Sequence, residues 1–497
     1  IAEFNKVLQS EPFETNTLLE ETERYAAQVL AAAERCRCVM VPSWTRAPGK
    51  RGLGPIDLRP GGVGHTLALM NNCLAERLHE HASVFVVDSS TWFTGQNNPE
   101  LAAKFWYAAK VPYAADVFRE AARQVKALLR AVAGRSRKLL VLDLDDTLWG
   151  GIVGDVGWEN LRLGGHDPVG EAFQDFQRGV KALQNRGIVL AVVSKNDEAV
   201  ALEAISKHPE MLIRPNDLAG WRINWQDKAQ NIAELVHELN LGMDAAVFID
   251  DNPAERGRVA EALPELLVPD WPSDKLLYRL ELDSLDCFDP AAISAEDAQR
   301  SHSYAVERER RQSRAAVSLE DWLASLQLSV KLEPLADANR QRAAQLLNKT
   351  NQMNLSTRRL TETQLQEWVD HGNGRAFWTV WVADRFGDSG LTGLVSTECG
   401  NDVCKIVDFV LSCRVFGRQV ENVMAAVAVC EARRHSAGTV SATLLPTAKN
   451  RPTREFFAER SGIARAGEHE FVWDAATDYN TPDFIDVTAG SAIAKAT

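Results

Sequence analysis

Three aspartates stand within four positions of the sequence, directly after an apolar run. The segment LLVLDLDDTLWGG, residues 139–151, contains Asp143, Asp145 and Asp146. Carboxylates this close repel one another, so a chain keeps them together when a cation lies between them or when one of them reacts. The segment therefore predicts a site for metal-assisted or nucleophilic chemistry.

Further polar residues stand at the predicted strand ends and helix starts of the same region. Ser194 lies in VVSKND, Lys228 opens a helix, and Asp250 and Asp251 follow the strand in AAVFIDD. Because the carboxyl ends of parallel strands meet at one edge of a sheet, these side chains are expected to lie near Asp143. Carboxylate oxygens from two strands suit a hard cation that keeps some of its waters, such as Mg²⁺.

The elements that must position these residues alternate between strand and helix. Apolar runs predict strands at LLVLDLDD, IVLAVVS, MLIRP, AAVFIDD and LLVP, and the segments between them predict helices. The helix after the first motif is capped by Asp167, with Pro168 in its first turn and Gly187 beyond its end. Strands that are apolar throughout predict an α/β fold whose parallel sheet is covered on both faces.

This residue set can carry out phosphoryl chemistry. A carboxylate beside Mg²⁺ can attack phosphorus and form an aspartyl-phosphate. A second carboxylate two residues later can protonate the leaving oxygen and then activate water. Ser194 and Lys228 can hold the nonbridging phosphate oxygens. The alternative is that the acids are N-caps of the following helices, and Asp251 is the residue most open to that interpretation.

The four segments, in this order, resemble the haloacid dehalogenase superfamily: D-x-D-x-T at 143–147, Ser194 in SKND, Lys228, and the DD pair at 250–251. The resemblance implies that Asp143 is the nucleophile and Asp145 the general acid and base. It implies substrate binding by Thr147, Ser194 and Lys228. It implies a Mg²⁺ site formed by Asp143, Asp145, Asp250 and Asp251.

Longer phrases resemble the FkbH-like family over residues 100–475: DLDDTLWGGIVGDVGWENLRLGG, INWQDKAQNIAEL, FIDDNPAER and LLNKTNQMNLSTRRLT. The resemblance implies an enzyme that takes 1,3-bisphosphoglycerate, removes phosphate and delivers a glyceryl unit as a thioester to an acyl carrier protein. That unit would feed polyketide synthesis of the methoxymalonyl or tetronate type. The short chain after the first motif leaves no room for a large cap domain, so an open site that admits a phosphopantetheine arm is expected.

The family also implies a glyceryl-thioester on a cysteine of the enzyme. Cys413, in VLSCRVFGRQVE, stands at a predicted strand end before a helix, where the helix N-terminus, Arg414 and Arg418 would lower the pKa of its thiol. The alternative is that Cys413 is buried and inert. Other candidates for the acyl-bearing thiol are Cys36, Cys38 and Cys73.

The C-terminal region resembles a GNAT acyltransferase fold, with a strand, a helix, three consecutive antiparallel strands and another helix. RVFGRQ is similar to the GNAT loop that holds the coenzyme A pyrophosphate, but Gln419 stands where a small residue is expected. Asn450 matches a later helix motif of that fold. Phe457 stands in place of the tyrosine that often acts there as the general acid. Ordinary acetyl-coenzyme A chemistry is therefore not expected, and phosphopantetheine binding or a purely structural role is favoured.

The predicted organisation is a partial SGNH-like α/β domain at 1–133, the haloacid dehalogenase-like domain at 134–290, a helical connector at 291–327, the GNAT-like domain at 328–475 and a flexible tail at 476–497. The first domain lacks a G-D-S nucleophile block. Its His65 and Asp88 are isolated signals, so we expect it to be non-catalytic.

Composition excludes several classes of protein. A net charge of −13 argues against nucleic-acid binding, and the sequence has neither an apolar run long enough to span a membrane nor a signal-peptide pattern. The eight cysteines form no disulfide framework, so reduced cysteines in a cytoplasmic protein are expected. Basic clusters at 308–314, 357–359 and 451–454 could dock an acidic carrier protein, or they are solvated surface.

Two other functions stay open from the sequence. One is a small-molecule phosphatase of the haloacid dehalogenase type, which releases phosphate without acyl transfer. The other is a catalytically weak scaffold that docks a carrier protein, although the intact motif set argues against it.

Overall fold

A computed structural model describes the chain except for residues 37, 47–50, 82, 94–98, 112, 293–303, 305, 307, 309, 311–317, 351, 372–373, 448–449 and 490–497. For residues 99, 101–103, 349, 413 and 489 it describes the backbone only. The chain forms two compact units, Ile1–Lys138 with Trp271–Ala295, and Leu139–Asp270 with Glu296–Thr497. The domain boundaries given above stay a prediction.

The first unit is a small α/β arrangement. Its elements are α1 (Ala2–Leu8), α2 (Thr15–Ala33), β1 (Val39–Pro42), α3 (Val63–Leu78), β2 (Val84–Val87), α4 (Pro99–Ala109) and α5 (Ala115–Val132). The two strands pair in parallel. Apolar faces of α2 and α3 pack against them, through residues such as Ala26 and Leu74.

The second unit begins with alternating strands and helices: β3 (Leu139–Leu142), α6 (Val153–Val156), α7 (Pro168–Asn185), β4 (Val189–Ser194), α8 (Glu198–Lys207), β5 (Leu218–Ile223), α9 (Lys228–Glu238), β6 (Ala246–Ile249) and α10 (Pro253–Ala262). The strands form a sheet in the order β5-β4-β3-β6, and all its neighbours are parallel. Every residue of β3, β4 and β6 is buried. The predicted α/β fold class is confirmed.

Two strand predictions in this sheet are wrong. LLVP, residues 266–269, forms only an isolated bridge, between Leu267 and Val247 of β6. MLIRP, residues 211–215, forms no strand, and β5 is the later segment Leu218–Ile223. The backbone N–H groups of Leu212 and Ile213 donate to Gln177 Oε1 of α7 instead of to a neighbouring strand. The apolar run is therefore buried beneath a helix rather than in the sheet.

After α11 (Tyr278–Ser284), which belongs to the first unit, the chain builds an α+β domain. Its elements are α12 (Leu319–Ser325), β7 (Leu328–Pro334), α13 (Asp337–Lys349), β8 (Met353–Asn354), α14 (Glu362–Asp370), β9 (Arg375–Asp384), β10 (Gly387–Cys399), β11 (Val403–Leu411), α15 (Val420–Arg434), β12 (Thr439–Thr443), α16 (Arg451–Glu455), β13 (Ala464–Arg465), β14 (Glu470–Asp474) and β15 (Ile485–Ala489). The predicted antiparallel run is confirmed in β9, β10 and β11.

Two expectations for the C-terminal region need correction. The tail predicted to be flexible contains β15, which pairs in parallel with β7 because its apolar residues lie beside Leu328 and Val330. The expectation of reduced cysteines is wrong for Cys399 and Cys404. The tight turn between β10 and β11 sets these two residues directly opposite each other, and they form a disulfide.

Of the predicted connector, most residues lie outside the described part of the chain. Among the described helices, none combines the length and the apolar character needed to cross a membrane.

Candidate active site

Asp143 follows the last residue of β3 and lies at the carboxyl edge of the parallel sheet. Its backbone N–H donates to the carbonyl of Ile249, which fixes it beside the end of β6. The side chain is buried, and Lys228 Nζ lies 2.9 Å from its Oδ1. The Ser194 side chain, from the end of β4, lies near enough to this carboxylate to act towards lowering the pKa of Asp143. Three of the predicted site residues therefore meet at one point.

Lys228 joins two strand ends through its ammonium group. It opens α9, whose N-cap is Asp227, and its Nζ lies 2.6 Å from Asp250 Oδ2. Burial alone would lower the pKa of Lys228, but the carboxylates of Asp143 and Asp250 outweigh it and the pKa is raised. Burial raises the pKa of Asp143, although the Lys228 ammonium acts in the opposite direction. The cluster therefore holds more buried negative charge than one lysine neutralises.

The acidic groups fit a divalent cation. Carboxylate oxygens of Asp143, Asp250 and Asp251 all lie within 4.8 Å of one another. When all three are ionised, Lys228 leaves two negative charges, which one Mg²⁺ would neutralise. The Asp145 carboxyl group does not belong to this cluster of possible ligands among the described residues. Its predicted place in the metal site therefore finds no support in the geometry.

The carboxyl group of Asp145 points to the loop after β3 instead. Its Oδ1 accepts hydrogen bonds from Trp149 Nε1 at 2.8 Å and from the backbone N–H of Val153 at 3.0 Å. Its Oδ2 accepts from Asn196 Nδ2 at 2.8 Å. Burial raises the pKa of Asp145, and these donors oppose the increase. A carboxyl group in this setting is suited to gain and lose a proton.

The remaining residues of the first motif shape its turn. Asp146 has a positive φ of 54°, which short polar side chains tolerate, and its Oδ1 accepts from Gly151 N–H at 3.1 Å. Gly151 itself has φ 103°, a conformation that other residues rarely adopt. Thr147 is buried and its hydroxyl oxygen accepts from the backbone N–H of Asp251 at 3.2 Å. Thr147 therefore holds the Asp250–Asp251 loop, and its contact with substrate stays a prediction.

Sequence reasoning missed three residues that support these carboxylates. Trp149 and Asn196 hold Asp145, and Arg256 donates to the carbonyls of Asp250 and Asp251 at 2.8 Å each. All three lie inside the motif phrases, within eight residues of a predicted site residue. Each carries an N–H donor close in sequence to a predicted site residue, and this combination could have identified all three.

The side chain of Cys413 lies outside the described part of the structure. The backbone of Cys413–Val415 forms a 3₁₀ turn before α15. Arg418 is buried and donates to Asp384 Oδ2 at 3.0 Å, so its charge is already paired there. Arg310 shares the same carboxylate. The predicted lowering of the Cys413 thiol pKa and its acyl-bearing role both stay predictions.

The GNAT-like motif residues have structural roles. Glu421 places a carboxyl group in the first turn of α15, where a pyrophosphate would need N–H donors, and Gln419 precedes that turn with φ 63°. Phe457 is fully buried, with its ring centroid 5.1 Å from that of Phe409. Asn450 Nδ2 donates to the carbonyl of Leu445 at 2.7 Å. The expectation that ordinary acetyl transfer is absent stays a prediction.

The chain's own residues also occupy the gap where β11 and β12 diverge. These strands pair only from Val403 to Ile406. Beyond that point, Leu355 N–H donates to the carbonyl of Phe409, and Leu445 N–H donates to the carbonyl of Leu355. Because this segment already satisfies the backbone groups of both sides, a phosphopantetheine arm could not pair there without displacing it. Whether this domain binds phosphopantetheine or has a purely structural role stays a prediction.

The isolated polar residues of the first domain and the residues of the basic clusters make local contacts. Asp88 accepts hydrogen bonds from the backbone and hydroxyl of Ser90, and His65 donates its backbone N–H to Asp57 near the start of α3. In the basic clusters, Arg308 donates to the carbonyls of Pro215 and Leu218. Of the other two clusters, Arg358 pairs with Asp408 and Arg451 with Glu455. These contacts favour structural roles for the basic residues, and carrier docking stays a prediction.

A metal-binding prediction follows from the acidic cluster. Mg²⁺ added to chelator-treated protein is expected to stabilise it, by about 2.7 kcal/mol at a free concentration of about 100 Kd. Asp250→Asn should lose most of this stabilisation because it removes a ligand charge, whereas Asp244→Asn, at an exposed acid of the same unit, should keep it. Melting temperatures in EDTA and in Mg²⁺ provide the measurement. Equal Mg²⁺ shifts in wild type and Asp250→Asn would place the ion elsewhere.

Comparisons with known proteins agree with the α/β core. Neither the family models nor the curated protein sequences that were searched match the chain. Among solved structures, the chain is similar to the N-terminal part of the protein BF1531 from Bacteroides fragilis, which contains a phosphatase domain and was crystallised in complex with Mg. The identity is 29%, the match covers 58% of this chain and 77% of that chain, and the TM-score is 0.52.

Two acetyltransferase structures match a smaller share of the chain. Mutant forms of the spermidine/spermine N-acetyltransferase SpeG from Vibrio cholerae are 15% identical over 30% of this chain and 94% of that one, with a TM-score of 0.24. The ribosomal-protein-S18-alanine N-acetyltransferase from Escherichia coli is 9% identical over 29% and 90%, with a TM-score of 0.23.

Proposed function

We propose that this protein is a Mg²⁺-dependent enzyme that removes phosphate from its substrate through a phosphorylated Asp143. The observation that carries the proposal is the convergence of Asp143, Lys228 and Ser194 beside Asp250 at one edge of the sheet. The likeness to a phosphatase domain crystallised with Mg supports the same chemistry. The metal would supply positive charge to the transferring phosphoryl group.

The residues divide the reaction into two steps. First, a carboxylate oxygen of Asp143 attacks phosphorus, the bond from phosphorus to the leaving oxygen breaks, and that oxygen takes a proton from Asp145. Second, Asp145 takes a proton from water, whose oxygen attacks phosphorus and releases inorganic phosphate from Asp143. Ser194 and Lys228 donate to the nonbridging oxygens in both steps, where negative charge is greatest.

We further propose that the substrate is 1,3-bisphosphoglycerate and that the product is a glyceryl-thioester on an acyl carrier protein, as the FkbH-like phrases imply. A thiolate would attack the acyl carbon and release the 1-phosphate, and the Asp143 site would hydrolyse the 3-phosphate ester. The compact loop after β3, with only α6 and one 3₁₀ turn before α7 among its described elements, leaves the site without a large cap. That feature supports a substrate larger than a free metabolite.

Intact-mass spectrometry tests the finer proposal. The protein is mixed with Mg²⁺, 1,3-bisphosphoglycerate made in place and a panel of holo acyl carrier proteins, beside Asp143→Asn. We expect a glyceryl adduct on a carrier with wild type and none with the variant. An additional adduct on the enzyme would be mapped with Cys413→Ser and with serine variants of the other three candidate cysteines. An enzyme adduct that persists in Cys413→Ser would exclude that residue as the acyl-bearing thiol.

The alternative of a simple phosphatase is favoured by one observation, the description of BF1531 as containing a phosphatase domain. It predicts phosphate release that does not depend on a carrier. Phosphate release with no adduct on any carrier in the panel would therefore favour this alternative.

A further inference from the structure

The carboxyl group of Asp145 accepts hydrogen bonds from donors on two sides, and these donors have no role in the two proposed steps. Trp149 lies four residues later in the same loop, and its Nε1 donates to Oδ1 together with the backbone N–H of Val153. Asn196 comes from the end of β4 and donates to Oδ2. The side chain is therefore fixed by two separate elements of the α/β core.

These donors use the two oxygens of Asp145 unequally. A carboxylate oxygen has two lone-pair positions for hydrogen bonds. On Oδ1 both positions are taken, by Trp149 at 2.8 Å and by Val153 at 3.0 Å. On Oδ2, Asn196 takes one position at 2.8 Å. One position on Oδ2 is therefore the place where a transferable proton can be carried.

The orientation of Asn196 is itself fixed. Its side chain is buried, and its Oδ1 accepts the backbone N–H of Asp197 at 3.0 Å, which directs Nδ2 towards Asp145. Asn196 also lies two residues after Ser194, so the end of β4 supplies both a side chain near the nucleophile and the hydrogen bond to Asp145. Trp149 is fully buried, which keeps its indole N–H in place.

We propose that Trp149 and Asn196 are positioning residues for proton transfer, and that Oδ2 of Asp145 is the atom that gives and takes the proton. The inference rests on the proposed function, because it assigns atoms within the Asp143 reaction. In the first step, the proton leaves Oδ2 for the leaving oxygen as the bond to phosphorus breaks. In the second step, Oδ2 recovers a proton from the attacking water.

The test compares two leaving groups in the first turnover. Phenol, with a pKa of about 10 like that of tyrosine, needs a proton to leave, whereas the more acidic 4-nitrophenol leaves as the anion. For Trp149→Phe and Asn196→Ala, release of phenol from phenyl phosphate should fall by about 10²-fold, and release of 4-nitrophenol by less than about threefold. Trp221→Phe is the matched control, because it removes an indole hydrogen bond to the carboxylate of Glu198.

The outcomes separate the inference from the function on which it rests. If wild type releases neither phenol nor 4-nitrophenol, and so behaves like Asp143→Asn, the proposed function is overturned and the inference with it. Active wild type with variants that slow both substrates equally, or neither, would overturn the inference alone. Asn196→Ala gives the answer independently if Trp149→Phe does not fold, which circular dichroism would show.

Discussion

Replacing Asp143 with asparagine is expected to reduce phosphate release by about 10³-fold or more, the effect of removing a covalent nucleophile. Asparagine keeps the size of the side chain and can still contact Ser194, but its amide cannot attack phosphorus at a useful rate. The loss should appear in kcat, measured by phosphate release from a phosphomonoester in saturating Mg²⁺. Asp155→Asn, at an exposed acid of the short helix α6, should behave like wild type.

An Asp143→Asn protein with wild-type turnover would contradict the proposed chemistry and would support a docking scaffold or a different site. Melting temperature in Mg²⁺ is the necessary companion measurement. The variant keeps a folded core if its melting temperature stays near that of wild type, and the loss of turnover can then be assigned to the missing nucleophile.

Replacing Lys228 with methionine is expected to destabilise the second unit strongly when Mg²⁺ is absent. The ammonium lies 2.9 Å from Asp143 and 2.6 Å from Asp250, and all three side chains are buried. Removal of one member of a buried charge cluster leaves the others without compensation and typically costs about 3–5 kcal/mol. Mg²⁺ should restore much of this loss, because the remaining carboxylates bind a cation more tightly when the ammonium is gone.

The measurement for Lys228→Met is the melting temperature in EDTA and in Mg²⁺, beside turnover. We expect a larger Mg²⁺ shift than in wild type and little recovery of phosphate release, because the contact to the transferring oxygens is lost. Lys207→Met is the control, since its ion pair with Glu203 lies on the surface and should matter little. An unchanged melting temperature in EDTA would show that the lysine does not compensate the buried carboxylates.

The convergence of the site was predictable because it follows from strand direction. Asp143, Ser194 and Asp250 each stand at the end of an apolar strand, and parallel pairing brings those ends together whatever the details of packing. The cap of α7 was predictable for a similar local reason. Asp167 accepts the N–H groups of Val169 and Gly170, as expected for an N-cap followed by proline.

The orientation of side chains was not predictable in the same way. Asp145 is two residues from Asp143 and was expected in the metal site, but the tight turn through Asp146 directs its carboxyl group to Trp149 and Asn196. The position of β5 was missed because MLIRP contains three apolar residues in a row, whereas Gly220 and Arg222 interrupt LAGWRI. A side chain of α7 satisfies the backbone of the first segment, a contact that no local pattern in the sequence reveals.

The C-terminal domain shows the same limit at longer range. The strand at Ile485–Ala489 depends on pairing with β7, more than a hundred residues earlier in the chain. Its own short sequence gives no strong strand pattern, so a flexible tail was predicted. The three antiparallel strands were predictable because β9, β10 and β11 follow one another with short turns. Pairing between distant segments therefore decided what local patterns could not.

The central claim, that Asp143 carries the phosphoryl group, is tested most directly by trapping that group. The protein would be mixed with Mg²⁺ and a phosphomonoester that it turns over, quenched within the first turnover and reduced with borohydride, which converts an aspartyl-phosphate to homoserine. Peptide mass spectrometry should then find homoserine at position 143, and no reduction at Asp145 or in a reaction without substrate. Reduction at another residue, or turnover with no reduced residue at all, would contradict the account.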